Sequence, residues 1–233
     1  MYQQAKDFLV PLYASLQPPN HRPIVTLTYA QSLDSKIALR DRPLLLSGKE
    51  SMAMTHRLRV MHQAILVGSG TARTDDPQLN ARHVPPEDLV HQPQPIVVDT
   101  HLDLPLTCKL LKNYNLEQGK QPWVLTSSKD SKKKDALEKA GAKIFVIDVN
   151  GRLPWDAILA VLQVQGIKSV MVEGGSRIIQ SCLTSGCVDQ LVVTIAPVYV
   201  GDQGVDVSAK ATLDDVHYQV FGRDIVMAAR LGT

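Results

Sequence analysis

Two glycine turns carry the clearest chemical potential in this sequence. Val67-Gly68-Ser69-Gly70-Thr71 follows a short apolar run, and Val172-Glu173-Gly174-Gly175-Ser176-Arg177 follows a β-branched one. Glycines there let backbone N–H groups approach an anion, and a helix starting just beyond aims its positive end at it. Each turn alone also fits an ordinary strand-to-helix connection, so neither decides the matter by itself. There is no G-x-x-x-x-G-K-[ST] and no full G-x-G-x-x-G, which sets aside a Walker A loop and a complete Rossmann fingerprint. Asp34, Lys36, Arg59, Asp75, Arg82 and Glu173 gather near the same strand ends. Arg59 and Arg82 suit a two-point grip on a phosphate, although each taken singly is more often a surface ion-pair residue. Asp34, Lys36 and Glu173 are the groups available for proton transfer, and the sequence does not choose among them. The seven histidines have no ligand spacing and no G-x-S-x-G occurs, so neither a metal site nor a covalent nucleophile is expected.

The elements that must position these residues alternate. Ile24 to Ala30 reads as a buried strand and Ser51 to Met61 as a helix, with Met54, Leu58 and Met61 on one face. Ala64 to Val67 is a short strand, and a polar, proline-containing loop runs from Asp75 to Pro95. Further strands are expected at 96–98, 123–126, 143–147 and 169–172, with helices at 132–140, 155–165 and 176–183. Gly141 and Gly166 stand where a helix C-cap belongs. This alternation predicts a parallel sheet with right-handed crossovers. The tail differs: 190–195, 218–221 and 224–230 are strand-like, and only Gly222-Arg223 separates the last two. A hairpin there gives an α/β fold with a mixed, mainly parallel sheet and an antiparallel C-terminal edge. A nucleotide would lie across the carboxyl ends of the parallel strands, between the two glycine turns.

Composition bounds the rest. The 233 residues, 44% hydrophobic and 21% charged, suffice for a substantial core without staples. Twenty-five Lys and Arg against 23 Asp and Glu leave +2, too little for a general affinity for nucleic acid or anionic membrane. Cys108, Cys182 and Cys187 form no disulfide framework, and reduced cytosolic thiols are expected. The stretch from Met1 to Leu16 has no signal-like apolar region, and the apolar stretch around 191–200 is half a membrane span. The expected placement is cytoplasmic, with no membrane partner.

Taken in order, the motifs resemble one family. Ser32-Leu33-Asp34-Ser35-Lys36, Ser47-Gly48, Gly68-Ser69-Gly70-Thr71 with Asp75-Asp76-Pro77, Leu79 and Arg82, Pro95 to Asp99, Glu173-Gly174-Gly175, and Ala196-Pro197 with Gly201 follow the riboflavin-biosynthesis reductase family. These are the 2,5-diamino-6-ribosylamino-4(3H)-pyrimidinone 5′-phosphate reductases. The match spans 24–231 of a single reductase domain covering 1–233, with 1–23 an N-terminal extension. The stretch 26–34 is similar to the stand-alone fungal form. One departure is Ser35, where many relatives have Gly.

The resemblance implies a dihydrofolate-reductase-like fold, NADPH as hydride donor and a homodimer. It implies that Gly70, Thr71, Asp75, Ile147, Glu173, Gly174, Gly175, Ser176 and Arg177 bind the cofactor. Arg59, Leu79 and Arg82 are then at the phosphorylated pyrimidine ribosylamine substrate, with Asp34, Lys36 and Glu173 as catalytic candidates and Glu173 bordering both ligands. The 2′-phosphate of NADPH is expected at either Ser127-Ser128-Lys129 or Asp99-Thr100-His101. The absence of H-x-E and C-x-x-C shows no zinc deaminase half. Two other readings stay open: a dihydrofolate-reductase-like enzyme on another substrate, and a non-catalytic NADPH-binding sensor. The first requires a carboxylate on the early helix, where the sequence offers His56, Arg57 and Arg59.

Overall fold

A computed structural model describes residues 2–40 and 44–232. The chain runs α1 (Tyr2–Ala14), β1 (Ile24–Gln31), β2 (Lys36–Leu39), α2 (Lys49–Val60), β3 (Ala64–Gly68) and α3 (Ser69–Thr74). After a 3-10 turn at Pro86–Asp88 come β4 (Gln94–Val98), α4 (Lys109–Asn115), β5 (Trp123–Thr126), α5 (Ser131–Lys139) and β6 (Lys143–Val146). The chain continues through α6 (Trp155–Val164), β7 (Ser169–Val172), α7 (Ser176–Thr184), β8 (Gln190–Ile195), β9 (Gly204–Asp206), β10 (Leu213–Phe221) and β11 (Asp224–Leu231). Nine strands make one sheet, β10-β11-β8-β1-β7-β3-β4-β5-β6. Every pair from β8 to β6 is parallel, and β11 is antiparallel to both its neighbours. The expected mixed sheet with its antiparallel C-terminal edge is therefore present.

Alternation along the strands divides the core between two faces. In β3, Ile65 and Val67 meet α1, α2 and α4, while Ala64 and Leu66 meet α6 and α7. Local signals end the helices as the sequence predicts. Asp130 caps α5 by accepting the Lys133 N–H at 3.1 Å. Gly141 (φ +109) and Gly166 (φ +80) follow α5 and α6 in the left-handed conformation. The residue after each glycine donates back to a carbonyl five positions earlier, Ala142 to Leu137 and Ile167 to Leu162, which closes the helix ends.

Two features lie outside the sequence expectation. Helix α4 has seven residues and only two buried apolar positions, Leu110 and Leu111, too short for periodicity to mark it. A second sheet pairs β2 with β9, strands of four and three residues set far apart in the chain. Helix α1 docks into the core through Ala5, Leu9 and Leu12. It also touches the hairpin, through a Phe8–Phe221 edge contact and a bond from Gln4 Nε2 to Val220 O. The helix covers one face of the β10–β11 edge only; Val216, Tyr218, Val220 and Ile225 on the other face stay exposed.

Candidate active site

The carboxyl ends of β1, β3, β4 and β7 open on one cleft of about 1020 Å³. β7 lies between β1 and β3, so the crevice forms where connections leave the sheet in opposite directions, the position ligands favour in such folds. Gly68 to Thr71 and Glu173 to Ile178 form one wall; Ile37 to Leu39, Leu44 to Leu46, Met52 and Thr55 form the opposite side. The structure thus brings both glycine turns into one site.

Thr71 joins the turns. Its Oγ1 accepts the Gly175 N–H at 2.7 Å. Gly174 has φ +119, and a Cβ there would lie 2.9 Å from the same oxygen. No side chain caps α7, and Gly174, Gly175, Ser176 and Arg177 all line the cleft. Ile178 N–H turns back to Gly175 O at 3.0 Å, so the Ser176 and Arg177 amides at the start of this nine-residue helix are the ones left for a ligand. Gly70 has nothing within 4 Å of a built Cβ, which leaves its approach open. Asp75 also lines the cleft, and partial desolvation raises its pKa. A pyrophosphate fits these donors.

The three proton-transfer candidates separate. Asp34 is spent on structure: its carboxylate accepts from Ser32 Oγ at 2.6 Å, Gly201 N at 2.7 Å and Val200 N at 3.0 Å. The Ser32 bond, then the Gly201 and Val200 amides, hold its pKa down to about 2 against a small desolvation effect. Such a carboxylate has no proton to give near neutrality, and it does not line the cleft. Lys36 turns toward β9, with Nζ 2.5 Å from Asp206 Oδ1. The Ser35 departure costs no geometry: Ser35 takes φ +62, and Ser35 N and Lys36 N close the turn onto Ser32 O and Oγ at 3.0 and 2.9 Å. Glu173 alone of the three faces the cleft.

Glu173 is gripped by Arg59, Nε to Oε1 at 2.8 Å and Nη2 to Oε2 at 2.7 Å. Burial opposes the Arg59 charge, but the Glu173 carboxylate more than offsets it and the guanidinium pKa rises. Arg59 Nη1 also donates to Asn80 O at 2.9 Å. Arg82 stands beyond the cleft wall and donates to Gln78 Oε1 and Asn80 Oδ1, both at 2.8 Å. Asn80 is therefore flanked by both guanidinium groups. Desolvation and the nearby Arg59 charge lower the Arg82 pKa, and no carboxylate pairs with Arg82 among the described residues. Of the two arginines suited to a phosphate grip, Arg59 is bound to Glu173 and Arg82 sits at the rim.

Two expected contacts are not on the cleft wall. Leu79 is 1% exposed and packs into the core with Met54 and Leu58, so its side chain cannot touch a substrate. Ile147 packs against the α6–α7 face of the core instead of the cleft. Sequence reasoning missed the hydroxyls of Thr28, Thr55 and Thr194, which line the cleft. Thr28 lies mid-strand in β1 opposite Val192, and Thr194 lies two residues further along β8 opposite Ala30, a placement that parallel pairing of β1 with β8 would have revealed. Among the described residues no group of His, Cys, Asp and Glu could hold a metal ion. No helix there is long and apolar enough to cross a membrane.

Fold and cleft define an open, mainly parallel α/β domain whose crevice is built by two glycine turns. A profile of the RibD C-terminal domain matches residues 23–227, and the chain belongs to that family. It is 38% identical over 245 residues to the 2,5-diamino-6-ribosylamino-4(3H)-pyrimidinone 5′-phosphate reductase of Candida glabrata, covering 98% of each chain. The Saccharomyces cerevisiae reductase of the same name is 36% identical over 215 residues, covering 90% of this chain and 87% of that one. A solved Saccharomyces cerevisiae riboflavin biosynthesis reductase superposes with TM-score 0.82 at 30% identity, covering 97% and 99%. The resemblance seen in the ordered motifs is met along nearly the whole chain.

Proposed function

We propose that this protein reduces the ribosyl side chain of 2,5-diamino-6-ribosylamino-4(3H)-pyrimidinone 5′-phosphate to the ribityl form, with NADPH as donor. The observation that carries the reading is the cradle made by Gly70, Thr71 and Gly174 to Arg177, in a chain matching reductases of this name over 98% of its length. Gly70, Gly174, Gly175, Ser176 and Arg177 would hold the pyrophosphate, with Thr71 and Asp75 beside them. NADPH, when bound, supplies the hydride that reduces C1′ of the opened sugar. Thr100 and His101 line the cleft, whereas Ser127 is bound to Gly151 O and Lys129 to Asp148. That favours the 99–101 strand end for the 2′-phosphate.

The protein's own task is positioning and exclusion of water. Arg59 and Arg82 around Asn80 carry two positive charges against the single carboxylate of Glu173, a net attraction for the substrate phosphate. Glu173 retains lone pairs beyond those used by Arg59, so it can orient a sugar hydroxyl and accept the glycosyl N–H proton as C1′–O4′ breaks, the freed ring oxygen taking up a proton to become a hydroxyl. Thr28, Thr55 and Thr194 offer further hydroxyl partners. A dihydrofolate-reductase-like role on a pterin is disfavoured because α2 presents Met52, Thr55 and Arg59 to the cleft and no carboxylate.

The exposed stripe Val216, Tyr218, Val220 and Ile225 on the sheet edge supports the homodimer, since an uncovered apolar edge invites pairing. Three free thiols support a cytoplasmic setting. The decisive experiment mixes protein, NADPH and the ribosylamine phosphate and follows absorbance of the reduced nicotinamide. Substrate-dependent oxidation is expected. Binding of NADPH without turnover supports a sensor, and turnover only with a pterin supports the other reductase.

A further inference from the structure

We propose that Cys182 and Cys187 are a dithiol that a hydroperoxide oxidises to an intramolecular disulfide, stapling the end of α7 to the approach to β8. The two Sγ atoms lie 3.8 Å apart. Bonding requires them to approach to about 2.05 Å, a closure of roughly 2 Å within reach of side-chain rotation and a short turn. Of the connection between them Leu183 is buried, and Thr184 to Gly186 are exposed. Gly186 has φ +69, and a Cβ built on it meets nothing within 4 Å. Cys187 keeps 8% exposure beside this turn, while Cys182 is fully buried behind it.

The surroundings distinguish the two sulfurs. Ser185 Oγ is 3.0 Å from Cys187 Sγ and 2.8 Å from Cys182 O. Its single proton can swing from the carbonyl to a Cys187 thiolate. The Arg22 guanidinium, fixed by Asp189 at 2.6 and 2.9 Å, adds positive charge nearby, while the Asp189 carboxylate opposes it. The Cys182 thiol, with no such hydroxyl, is left as the donor to Cys187. Cys187 is therefore the attacking sulfur and Cys182 the resolving one. Cys108 has no neighbouring sulfur, and burial pushes its thiol pKa up.

The chemistry balances. The Cys187 thiolate attacks one peroxide oxygen, the O–O bond breaks, and a sulfenic acid forms as hydroxide leaves and takes a proton. The Cys182 sulfur then attacks the sulfenyl sulfur, forming S–S as S–O breaks, and the departing hydroxide takes the Cys182 proton. Two thiols lose two electrons and two protons, and hydrogen peroxide becomes two waters.

Cleavage after Arg177 and Lys210 places both cysteines in one tryptic peptide, 178–210. The folded protein is treated with hydrogen peroxide, alkylated and digested. The expected result is peptide 178–210 lighter by two hydrogens and unalkylated, restored by dithiothreitol, while Cys108 remains fully alkylated. In C182S, dimedone should trap a sulfenic acid on Cys187; in C187S, Cys182 should stay a thiol. Native thiols that survive peroxide would overturn the proposal and leave the pair as packing. Oxidation to sulfinic acid without a disulfide, or loss of Cys108 at the same rate, would do so equally.

Discussion

The two sides of the cleft are built by opposite means. The glycine side, Gly68 to Thr71 and Glu173 to Arg177, is backbone placed by adjacent parallel strands, and Thr71 Oγ1 ties its two turns together by accepting the Gly175 N–H. The facing side hangs on side chains reaching across the chain: Asp34 to Val200 and Gly201, Lys36 to Asp206, and Asp224 to the start of α2. Asp224 Oδ2 accepts the Gly48 N–H at 2.7 Å and the Ser51 hydroxyl. A surface made from backbone tolerates little change in shape where it is packed, because a Cβ added at Gly68, Gly174 or Gly175 meets an atom within 3.1 Å. A surface made from side-chain ties tolerates shape changes and fails when a tie is cut.

The largest effect is expected on the glycine side. Gly174→Val forces a branched side chain into φ +119, where even a Cβ is 2.9 Å from Thr71 Oγ1. NADPH affinity should fall by more than about a hundredfold, a loss near 3 kcal/mol, as read by cofactor fluorescence titration. Circular dichroism checks that the variant is folded, and Gly70→Ala, whose Cβ meets nothing, supplies a second probe of the same approach. Wild-type affinity in a folded Gly174→Val protein would place the cofactor elsewhere.

Arg82→Ala tests the rim, beyond both sides. Losing one charge-assisted phosphate contact should raise KM for the phosphorylated substrate roughly ten- to a hundredfold, with NADPH affinity nearly unchanged. Arg82→Lys should recover part of the loss, since an ammonium lacks the planar fork. If Arg82 merely shapes the Gln78–Asn80 loop, the dephosphorylated substrate suffers equally, and the phosphate assignment fails.

The contrast also explains what could be read from the sequence. Gly68, Gly70, Gly174 and Gly175 announce themselves because each follows a β-branched or apolar strand, and the cause is local. The strands 123–126, 169–172 and 190–195 were legible to the residue for the same reason. The Arg59–Glu173 bond joins residues 114 positions apart and leaves no local trace. Asp34 looked catalytic because a Ser-x-Asp turn has the same residues whether it moves protons or holds a loop; only Val200 and Gly201 reveal which. Strands β2 and β9 are too short to mark themselves, and Leu79 is grouped with Asp75 and Arg82 by its place in the motif although its side chain is in the core.

Acid should find the α2 side first. His62 Nδ1 faces Leu58 O at 2.8 Å, so it carries the proton, and Nε2 accepts from Thr26, to which Tyr13 in turn donates. Burial holds His62 down to about 4, and His56, buried beside Arg59, Arg82 and His83, to about 3. An unfolded histidine titrates near 6.5, so the unfolded chain binds more protons between there and the folded values. The stability of the neutral rings is complete above about pH 6.5 and is lost as pH falls through about 4; for His62 it amounts to at most about 3 kcal/mol. Urea midpoints should decline from pH 7 to 4, less steeply in His62→Gln. A flat profile over that window would refute the buried neutral ring.

The smallest effect is expected where the sequence departs from its relatives. Ser35 sits at φ +62, and its hydroxyl makes no hydrogen bond among the described residues. A left-handed conformation costs an L-residue about 1–2 kcal/mol, which Ser35→Gly would relieve. Glycine returns about 0.5–1 kcal/mol of this through the greater freedom of the unfolded chain. The net gain is then about 0–1.5 kcal/mol, a rise in Tm of up to roughly 6 °C for a domain of this size. Cofactor affinity should not move, because the 32–36 turn lies on the side built by ties, and Asp34 still binds Val200 and Gly201. A loss of stability above about 1 kcal/mol would show that Ser35 holds the turn through its side chain, and a change in NADPH affinity would show that the two sides are coupled.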